Sequence, residues 1–553
     1  MSQTFLTRHP ILLTCLALLT ILFVIYLPTL QTIPNGSEHY YMIDVGETQI
    51  VLNVWGTLHA TGYPLYVMTG SAIVAILRAF GLASVTAPAV VSLIWGLAAL
   101  AVFYMLLARL TGRVLLSAIV VLLFGLMRTV WIHHVIAEIY TFGLFISLGL
   151  LTLALWKPPI KHRLYWLALL GGIGVAHHRA IAMMIPALLF AVYPDLRALR
   201  RRLPLTLAIC LALGLLGFTQ YAYLMLRANA GAAWVYGEPG TLAGLWDQFT
   251  GREAARFIGA PQSLDGLIAN IGMVNAVLVT DATLPGIVAG IIGLTLGCMR
   301  KERRTFAVTM ILNGLVALLF HYVFYTDILS ALILPVLLSL ASGWLLLADA
   351  LIDMPRLVSL PLPEVLGVIA AAFGVVLFNS NQSFIQSLTS DPTGNETIAL
   401  AQNTPPGSVL MLAWGPRHFA VGLARDVLGE LQTIKLVDHK ADFSALVAAK
   451  PLVTPAFTFY AQPVSWWEAQ LGTPVYLHAV APELVQIATT PEIADADVPF
   501  GADSAQITCA DDQILLQVAW SSPSVPEQDL SVFVHLLAAN GELIAQADES
   551  APV

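Results

Sequence analysis

Two acidic residues stand close together in the first polar segment of the chain, at Asp44 and Glu47. In a helical segment, residues three apart lie on one face, so both carboxylates would point the same way. A carboxylate held in such a loop can act as a general base, taking the proton of an acceptor hydroxyl while its oxygen attacks a sugar carbon. A structural interpretation fits equally well, because Asp at a helix N-cap followed three residues later by Glu resembles a capping box. The residue types alone leave both interpretations open.

A third acid follows a pair of histidines, in the stretch from Trp131 through Glu138 to Tyr140. An acidic side chain next to apolar segments is costly unless it faces a polar cavity. Glu138 is therefore a candidate for binding a sugar hydroxyl or a metal. The structural alternative is an interfacial residue that pairs with one of the nearby histidines.

Cationic and polar candidates occur at three further places. His177, His178 and Arg179 interrupt an apolar run, and such groups can neutralise a phosphate as it leaves a sugar. Arg252 follows a loop rich in Gly, Pro and aromatic residues and is a candidate for contacting phosphate or acceptor. Asp327 ends an apolar run and would line the same cavity or cap the next helix. A helix break with ordinary interfacial cations is the structural alternative for the first group.

These residues must be positioned by membrane helices, because the chain is too apolar for a soluble protein. Of its 553 residues 58% are hydrophobic and only 11% are charged, and the mean hydropathy is +0.79, whereas soluble proteins carry roughly 25% charged residues. Many runs reach the about 20 residues that a bilayer helix needs. The four cysteines form no metal-binding or disulfide pattern, and nothing suggests nucleic-acid binding.

The charge pattern predicts which loops face the cytoplasm, where positively charged loops are retained. The loop 31–63 contains no Lys or Arg and is expected outside, together with Glu138 and the segment 227–263. Of three apolar runs within 64–131, one is expected to be re-entrant or interfacial. The sequence predicts 11–13 transmembrane helices with an internal N-terminus. Three basic clusters mark the expected cytoplasmic loops, at residues 157–163, 197–202 and 300–304.

The C-terminal part differs in charge and pattern. From residue 380 to the end there are 5 Lys and Arg but 19 Asp and Glu, which indicates a second region in a different solvent. Its early part mixes short apolar runs with helical stretches. Its later part alternates, with a hairpin signal at Asn540-Gly541. We predict an all-α polytopic membrane domain over 1–379, a small α/β domain over 380–484 and a partial β-sandwich over 485–553, the last two outside the cytoplasm.

The order of the motifs in residues 10–340 resembles the GT-C glycosyltransferases, and more closely the transmembrane O-mannosyltransferase-like family. That family shows Asp-x-Gly-Glu, His-Pro-Pro-Gly-Tyr-Pro-Leu, Ala-Glu-x-Tyr, a helix break that contains His, and Trp-Gly-x-Pro. The chain departs from the pattern at Ala60-Thr61, where the family has Pro-Pro, and at Tyr236, where it has Trp. The matching stretches are Asp44–Glu47, His59–Leu65, Ala137–Tyr140, His177 and Tyr236–Pro239.

The resemblance implies an enzyme that takes a sugar from a polyprenyl-phosphate carrier and attaches it to a protein or glycan hydroxyl outside the cytoplasm, usually with inversion at the anomeric carbon. Asp44 would be the base, with Glu47 assisting it or binding the acceptor. The resemblance requires no cofactor, although some relatives use a divalent cation. Residues expected to bind donor or acceptor are His59, Tyr63, Glu138, Tyr140, His177, His178, Arg179, Arg252 and Asp327.

Two other classes of protein compete with this interpretation. A transporter or flippase of lipid-linked glycans predicts internal repeats and charges near the bilayer midplane, whereas here the acids gather at the edges of outer loops. A membrane-anchored binding protein would need only one anchoring helix. In a prokaryote, a multi-pass enzyme of this kind is expected in the plasma membrane.

Overall fold

The computed structural model describes residues 10–252, 259–324, 331–354, 361–490, 501–510, 513–521 and 531–550. These residues divide into two compact units, one formed by Met1–Pro392 with Asp426–Leu428 and the other by Thr393–Arg425 with Gly429–Val553. The boundary predicted at 379/380 falls inside a helix of the first unit, and the one at 484/485 falls at the start of a strand. The division into three domains stays a prediction.

The described part of the first unit is helical, as expected for apolar runs that must satisfy every backbone hydrogen bond without water. Short 3₁₀ segments, such as Arg179–Met184 and Gly217–Tyr221, join some of the helices. The helices are α1 (Pro10–Tyr26), α2 (Val45–Val54), α3 (Pro64–Ala79), α4 (Ala87–Thr111), α5 (Val114–Gly125), α6 (Arg128–Val135), α7 (Tyr140–Leu155), α8 (Arg163–His177), α9 (Ile185–Leu199), α10 (Leu203–Leu216), α11 (Ala222–Asn229), α12 (Leu242–Thr250), α13 (Leu264–Ala282), α14 (Leu284–Met299), α15 (Arg304–Phe324), α16 (Leu334–Ile352) and α17 (Leu362–Thr389).

The described helices confirm a multi-pass membrane protein. Seven are long and apolar enough to cross a bilayer, and the number rises to eight if the bent pair α5 and α6 forms one span. This is fewer than the 11–13 spans predicted, because three apolar helices, α3, α7 and α14, have only 16 residues each and the run from Arg179 to Asn229 is continuous.

The bend between α5 and α6 matters for the site, because it turns the chain by 75° before Glu138. Carbonyl groups released at the bend are bonded from other helices. The Tyr26 hydroxyl donates to the Gly125 carbonyl at 2.7 Å, and the Asn381 amide donates to the Leu126 carbonyl at 2.9 Å. Of the three apolar runs within 64–131, the last one, which forms α5 and α6, is therefore the run that is interrupted.

An ion network joins α16 to the loops that follow α4 and α14, at the end of α4 that carries Thr111. The carboxylate of Asp349, 1% exposed, accepts hydrogen bonds from Arg113 (3.2 Å), Arg300 (3.1 Å) and Arg303 (3.0 Å). Asp353 pairs with Arg113 and Arg300 as well. Three of these residues come from loops between helices, so the network fixes the loops against α16.

In the second unit, five strands form one sheet, and the first three in the following order are parallel while the rest are antiparallel. The order is Lys435–Val437, Val409–Met411, Leu452–Pro455, Leu484–Ala488 and Tyr476–Ala481. Two separate hairpins follow, and Gly541, with a φ of 82°, lies in the turn of the second, at the predicted Asn540-Gly541 position. The elements are α18 (Thr393–Gln402), β1 (Val409–Met411), α19 (Pro416–Leu423), β2 (Lys435–Val437), α20 (Phe443–Val447), β3 (Leu452–Pro455), α21 (Val464–Leu471), β4 (Tyr476–Ala481), β5 (Leu484–Ala488), β6 (Gly501–Ala510), β7 (Gln513–Ser521), β8 (Ser531–Leu537) and β9 (Leu543–Ser550).

Candidate active site

The two acids of the first polar loop have different environments. Asp44 immediately precedes α2, and its side chain, 30% exposed, makes no capping hydrogen bond. Glu47 lies in the first turn of α2 and is fully buried. The capping-box interpretation is therefore wrong: neither side chain caps the helix, because both are directed to a histidine further along the chain.

That histidine is His59, and it occupies both oxygens of Glu47. The His59 backbone N–H donates to Oε1 of Glu47 at 3.1 Å, and its ring Nδ1 lies 2.6 Å from Oε2. The other ring nitrogen, Nε2, lies 3.7 Å from Oδ2 of Asp44. The imidazole thus stands between the two carboxylates, fixed by Glu47 and directed at Asp44.

The acids determine the charge of the imidazole. Burial lowers the pKa of His59, but the neighbouring carboxylates of Asp44 and Glu47 outweigh burial and raise this pKa to about 10. Burial also raises the pKa of Glu47, an effect that His59 partly offsets. His59 is therefore protonated at neutral pH.

The loop that carries His59 is held by the segment that contains Trp234 and Tyr236. The backbone N–H of Thr57 donates to the Trp234 carbonyl at 3.0 Å, and the Thr57 hydroxyl accepts from the Tyr236 N–H at 2.8 Å. A Cβ at Gly56 would stand 2.5 Å from the Trp234 carbonyl, so only glycine allows this approach. The Tyr236-Gly-x-Pro motif is thereby in contact with the loop that positions His59, and the two rings lie 6.4 Å apart.

Glu138 reaches the same place from the chain that follows the bend. Its carbonyl accepts hydrogen bonds from the hydroxyls of Ser92 (3.0 Å) and Tyr66 (3.2 Å), and its N–H donates to Ser92 (3.0 Å). Burial and the charge of Asp44 raise the pKa of Glu138 well above its usual value, and His59 partly offsets this. Glu138 lines a small cavity with Tyr40, Tyr41, Asp44, His133, Tyr140 and Ala331.

The structural alternative, in which Glu138 pairs with one of the two histidines before it, does not describe their ring contacts. Their ring Nδ1 atoms lie 2.6 Å from the carbonyl oxygens of Thr129 and Val130, one turn earlier in α6. His133 nevertheless lines the cavity beside Glu138. Its ring packs edge-on against Tyr140, at 4.8 Å between centroids.

Tyr63 connects the first loop with the polar triplet that ends α8. Its ring packs against those of His59 (5.5 Å), His177 (5.6 Å) and His178 (6.1 Å). His177 is fully buried, and its carbonyl accepts a hydrogen bond from the Thr61 hydroxyl at 3.3 Å. Thr61, at a position where the family pattern has proline, thus makes a contact that proline cannot make.

The cations lie at the edge of this network. Arg179 is exposed and donates to the Thr250 carbonyl. Arg252 is 75% exposed and pairs with Asp247 at 2.9 Å. The two arginines flank Gly251, where a Cβ would meet Nη2 of Arg179 at 2.3 Å. The two arginines form a positively charged rim beside His177 and His178.

An apolar cavity runs from the site between the helices. It is lined by Ile139, Tyr140, Gly143, His177 and His178 near the site and by residues of α15 and α16 further away, among them Leu334, Pro335 and Leu338. It shares Tyr140 and Ala331 with the small cavity that contains Asp44.

The structure brings together eight of the eleven predicted site residues, places two arginines at the rim, and leaves Asp327 outside the described residues. The eight are Asp44, Glu47, His59, Tyr63, Glu138, Tyr140, His177 and His178.

Sequence reasoning missed a second polar group next to the site. Asp281, fully buried near the end of α13, accepts hydrogen bonds from the N–H and the hydroxyl of Thr129, both at 2.7 Å. The Thr129 oxygen lies 3.0 Å from the hydroxyl of Tyr41. One signal was available, because an acidic residue in an apolar helix is a functional candidate by default.

Comparison with solved structures identifies the fold. ArnT from Cupriavidus metallidurans bound to undecaprenyl phosphate matches with a TM-score of 0.54 and 14% identity, over 87% of this chain and 98% of that one. The apo state of ArnT matches with a TM-score of 0.53 and 13% identity, over 86% and 97%. The oligosaccharyltransferase AglB from Archaeoglobus fulgidus, in complex with an inhibitory peptide and a dolichol-phosphate, has a TM-score of 0.45 and 13% identity, over 87% and 75%. The two ArnT matches show that the chain has the GT-C fold.

A protein-family model matches part of the sequence. Residues 44–199, which contain the acids, His59, Glu138 and the polar triplet, match the model of the protein O-mannosyl-transferase TMEM260 N-terminal domain. No curated protein sequence matches the chain significantly. The family match over residues 44–199 and the fold support a membrane glycosyltransferase of the GT-C type, and the resemblance stated from the motifs is confirmed.

Proposed function

We propose that this glycosyltransferase takes a sugar from a polyprenyl-phosphate carrier and attaches it to a hydroxyl of a protein or glycan on the extracytoplasmic face of the membrane. The acceptor oxygen forms a bond to the anomeric carbon while the bond from that carbon to the phosphate oxygen breaks. The hydroxyl proton passes to Asp44, and polyprenyl phosphate leaves. A single displacement of this kind inverts the configuration of the anomeric carbon.

One observation carries the proposal: the two acids of the first loop have separate roles. Glu47 is buried and uses both oxygens on His59, so it serves as a positioning residue. Asp44 is partly exposed, lines a cavity and lies beside the far side of the same imidazole. A general base must reach the hydroxyl that it deprotonates, and of the two acids only Asp44 lies where a substrate can enter.

The remaining residues suit the donor. The apolar cavity that begins at Tyr140 and His177 would hold the carrier chain, an assignment supported by the fold shared with ArnT, which was crystallised with undecaprenyl phosphate. Arg179 and Arg252 at the rim would meet the phosphate, since arginine binds phosphate through paired N–H groups. Glu138, whose raised pKa keeps a proton available, would donate to or accept from a sugar hydroxyl.

A divalent cation is compatible with the site, although the reaction as written does not require one. One ligand atom each from Asp44, Glu47 and His59 lies within 4.8 Å of the others. Asp44 and Nε2 of His59 would hold the cation, while Glu47 orients the ring through Nδ1 as carboxylates commonly do for metal-bound histidines. The cation would help to bind and orient an oxygen of the substrate. It would compete with a proton for Nε2, because a ligating histidine is neutral.

The proposal is tested with the purified protein in detergent or liposomes, using defined polyprenyl-phosphate sugars as donors. Wild type should transfer sugar to a hydroxyl acceptor, and Asp44→Asn should not. Asn has nearly the same shape and is also accepted before a helix, so the fold is kept while the base is lost. Equal transfer by both proteins would remove Asp44 as the base. Movement of the intact lipid-linked sugar across liposome membranes without transfer would indicate a flippase instead.

A further inference from the structure

We infer that the cavity between Tyr40, Tyr41, Arg128 and Asp281 is the acceptor subsite, and that the acceptor it takes is a carbohydrate. This inference deepens the proposed function and rests on it. The cavity is lined by Tyr40, Tyr41, Arg128, Met273, Ala276, Val277, Thr280 and Asp281. The five residues from Met273 to Asp281 lie on α13, so most of this lining comes from a helix outside the segment 44–199 that matches the family.

The position of the cavity supports its assignment to the acceptor. Three cavities follow one another through the site. The apolar cavity shares Tyr140 with the small cavity of Asp44, and the small cavity shares Tyr40 and Tyr41 with the acceptor cavity. Asp44 therefore lies between a cavity suited to a lipid carrier and a polar one. Displacement at a carbon atom requires the incoming and leaving oxygens on opposite sides, and this order of cavities provides it.

The wall between the two polar cavities is firmly held. The single hydroxyl proton of Thr129 is donated to Asp281, so the Tyr41 hydroxyl must donate its own proton to Thr129. The Tyr40 and Tyr41 rings lie 4.4 Å apart, and the His39 ring stacks on Tyr40 at 4.4 Å. A wall fixed by these contacts presents the same surfaces to each ligand, which lowers the ordering cost of binding.

Arg128 is fixed in the same way on the other side of the cavity. Its Nε donates to the Asn381 side chain at 3.1 Å and its Nη2 to the Ser380 carbonyl at 3.2 Å. Its guanidinium also lies over the Phe384 ring, 4.2 Å from the centroid. Arg128 and Asp281 thus present opposite charges to one cavity, from α6 and α13.

The chemistry of the lining indicates the class of acceptor. Sugar hydroxyls both donate and accept hydrogen bonds, so they suit a cavity with a guanidinium, a carboxylate and a threonine hydroxyl. The C–H faces of a sugar ring suit the flat rings of Tyr40 and Tyr41. The volume of about 270 Å³ is well above the roughly 30 Å³ of one water and admits one sugar ring.

A structural role alone explains less of this cavity. The bonds between Asp281 and Thr129 would hold α13 against α6 with no ligand present. That role does not require a cavity beside the pair, a fixed arginine across it, or a shared wall with the cavity of Asp44. An extended peptide is also less suited, because every described element around the cavity is a helix or loop and none offers a strand edge for pairing.

The test blocks the cavity without removing any of its contacts. Ala276 is exposed on α13 and lines the cavity, so Ala276→Phe fills it. Val279→Phe is the matched control, because Val279 is 44% exposed on the same helix and is not among the lining residues. Met273→Trp fills the same cavity from another position on α13 and gives an independent variant, because Met273 lines this cavity and not the cavity of Asp44.

Two reactions are measured with one polyprenyl-phosphate hexose: transfer to acceptors, from panels of short oligosaccharides and of Ser/Thr peptides, and hydrolysis by water. We expect Ala276→Phe and Met273→Trp to raise the KM for an oligosaccharide acceptor at least tenfold while hydrolysis stays within twofold. Val279→Phe should change neither.

Three results would overturn the inference. The first is an unchanged acceptor KM in both variants while hydrolysis proceeds. The second is an equal loss of transfer and hydrolysis. The third is transfer only to peptides, which would remove the carbohydrate class. If wild type neither transfers nor hydrolyses any lipid-linked sugar, the proposed function itself fails, and the inference with it.

Discussion

Two ionic clusters lie in the membrane unit, near opposite ends of α4, and they are built on different principles. Near Thr111, two aspartates are matched by three arginines, and Asp349 accepts a hydrogen bond from each of the three. At the other end, the acids Asp44, Glu47 and Glu138 surround one histidine. The first cluster is satisfied within the protein, whereas the second keeps an excess of negative charge facing a cavity.

This difference separates charges that hold the fold from charges that do chemistry. A buried carboxylate that receives several charge-assisted hydrogen bonds is stable but has no capacity left for a substrate. Among the described residues, the cation close to the Asp44 carboxylate is one edge of the His59 imidazole, so this carboxylate keeps that capacity. Perturbed acids next to a cavity are typical of functional sites. The comparison predicts that mutations in one cluster change activity and mutations in the other change stability.

The largest effect on activity is expected from Asp44→Asn. Loss of a general base lowers turnover about 10²–10⁴-fold, and the folded protein should be retained. The measurement is the transfer rate at saturating donor together with the thermal unfolding midpoint in the same detergent. A variant that has a lower unfolding midpoint and an unchanged turnover would show that Asp44 stabilises the fold and is not the base.

The reverse outcome is expected for Asp349→Ala. Removing this carboxylate leaves three arginines without their shared partner, and breaking a buried ion network costs about 3–5 kcal/mol. Chemical unfolding should detect this loss, while turnover per folded molecule should stay unchanged. Asp353→Ala is the milder control, because Asp353 is 42% exposed. A selective loss of turnover without a loss of stability would contradict the comparison.

The pH dependence of stability should come from the cluster around His59. The pKa of His59 is raised from 6.5 to about 10, so its contribution to stability is fully present below pH 6.5 and is lost as the pH rises to about 10. His59→Gln should unfold at a midpoint that falls less over this range than that of wild type. Identical slopes for the two proteins would show that the imidazole is not held between the acids.

The smallest effects are expected at the rim. Arg252 and Asp247 are largely exposed, and such pairs contribute roughly 0–1 kcal/mol, so Arg252→Ala should leave stability unchanged. If Arg179 meets the donor phosphate, Arg179→Ala should raise the donor KM roughly tenfold or more, as expected for the loss of a charged hydrogen bond. The change for Arg252→Ala should be smaller. A larger effect at Arg252 would reverse the two assignments.

Residues close in sequence were predictable, because local spacing expresses local chemistry. Asp44 with Glu47, the polar triplet from His177 to Arg179 and the Asn540-Gly541 turn could all be singled out from short patterns. The partner of Glu47 could not, because His59 lies twelve positions away on another part of the loop. For this reason the sequence alone could not exclude the capping-box interpretation.

Asp281 shows the same limit over a longer distance. It lies 152 positions from Thr129, and nothing in either local pattern indicates the other. The bend after Gly125 is equally hidden, because the carbonyls it releases are bonded by Tyr26 and Asn381, from distant parts of the chain. Contacts of this kind depend on how helices pack, and packing is specified by the whole unit.

The sequence by itself determined the solvent of each region, the helical character of the membrane unit and the local motifs, since hydropathy and turn chemistry are properties of neighbouring residues. Only the tertiary structure decided which acid is engaged by His59, which arginines stand at the rim and which cavities meet at Asp44. The physical reason is that the role of a charge depends on its partners and its burial, and both come from residues far away along the chain.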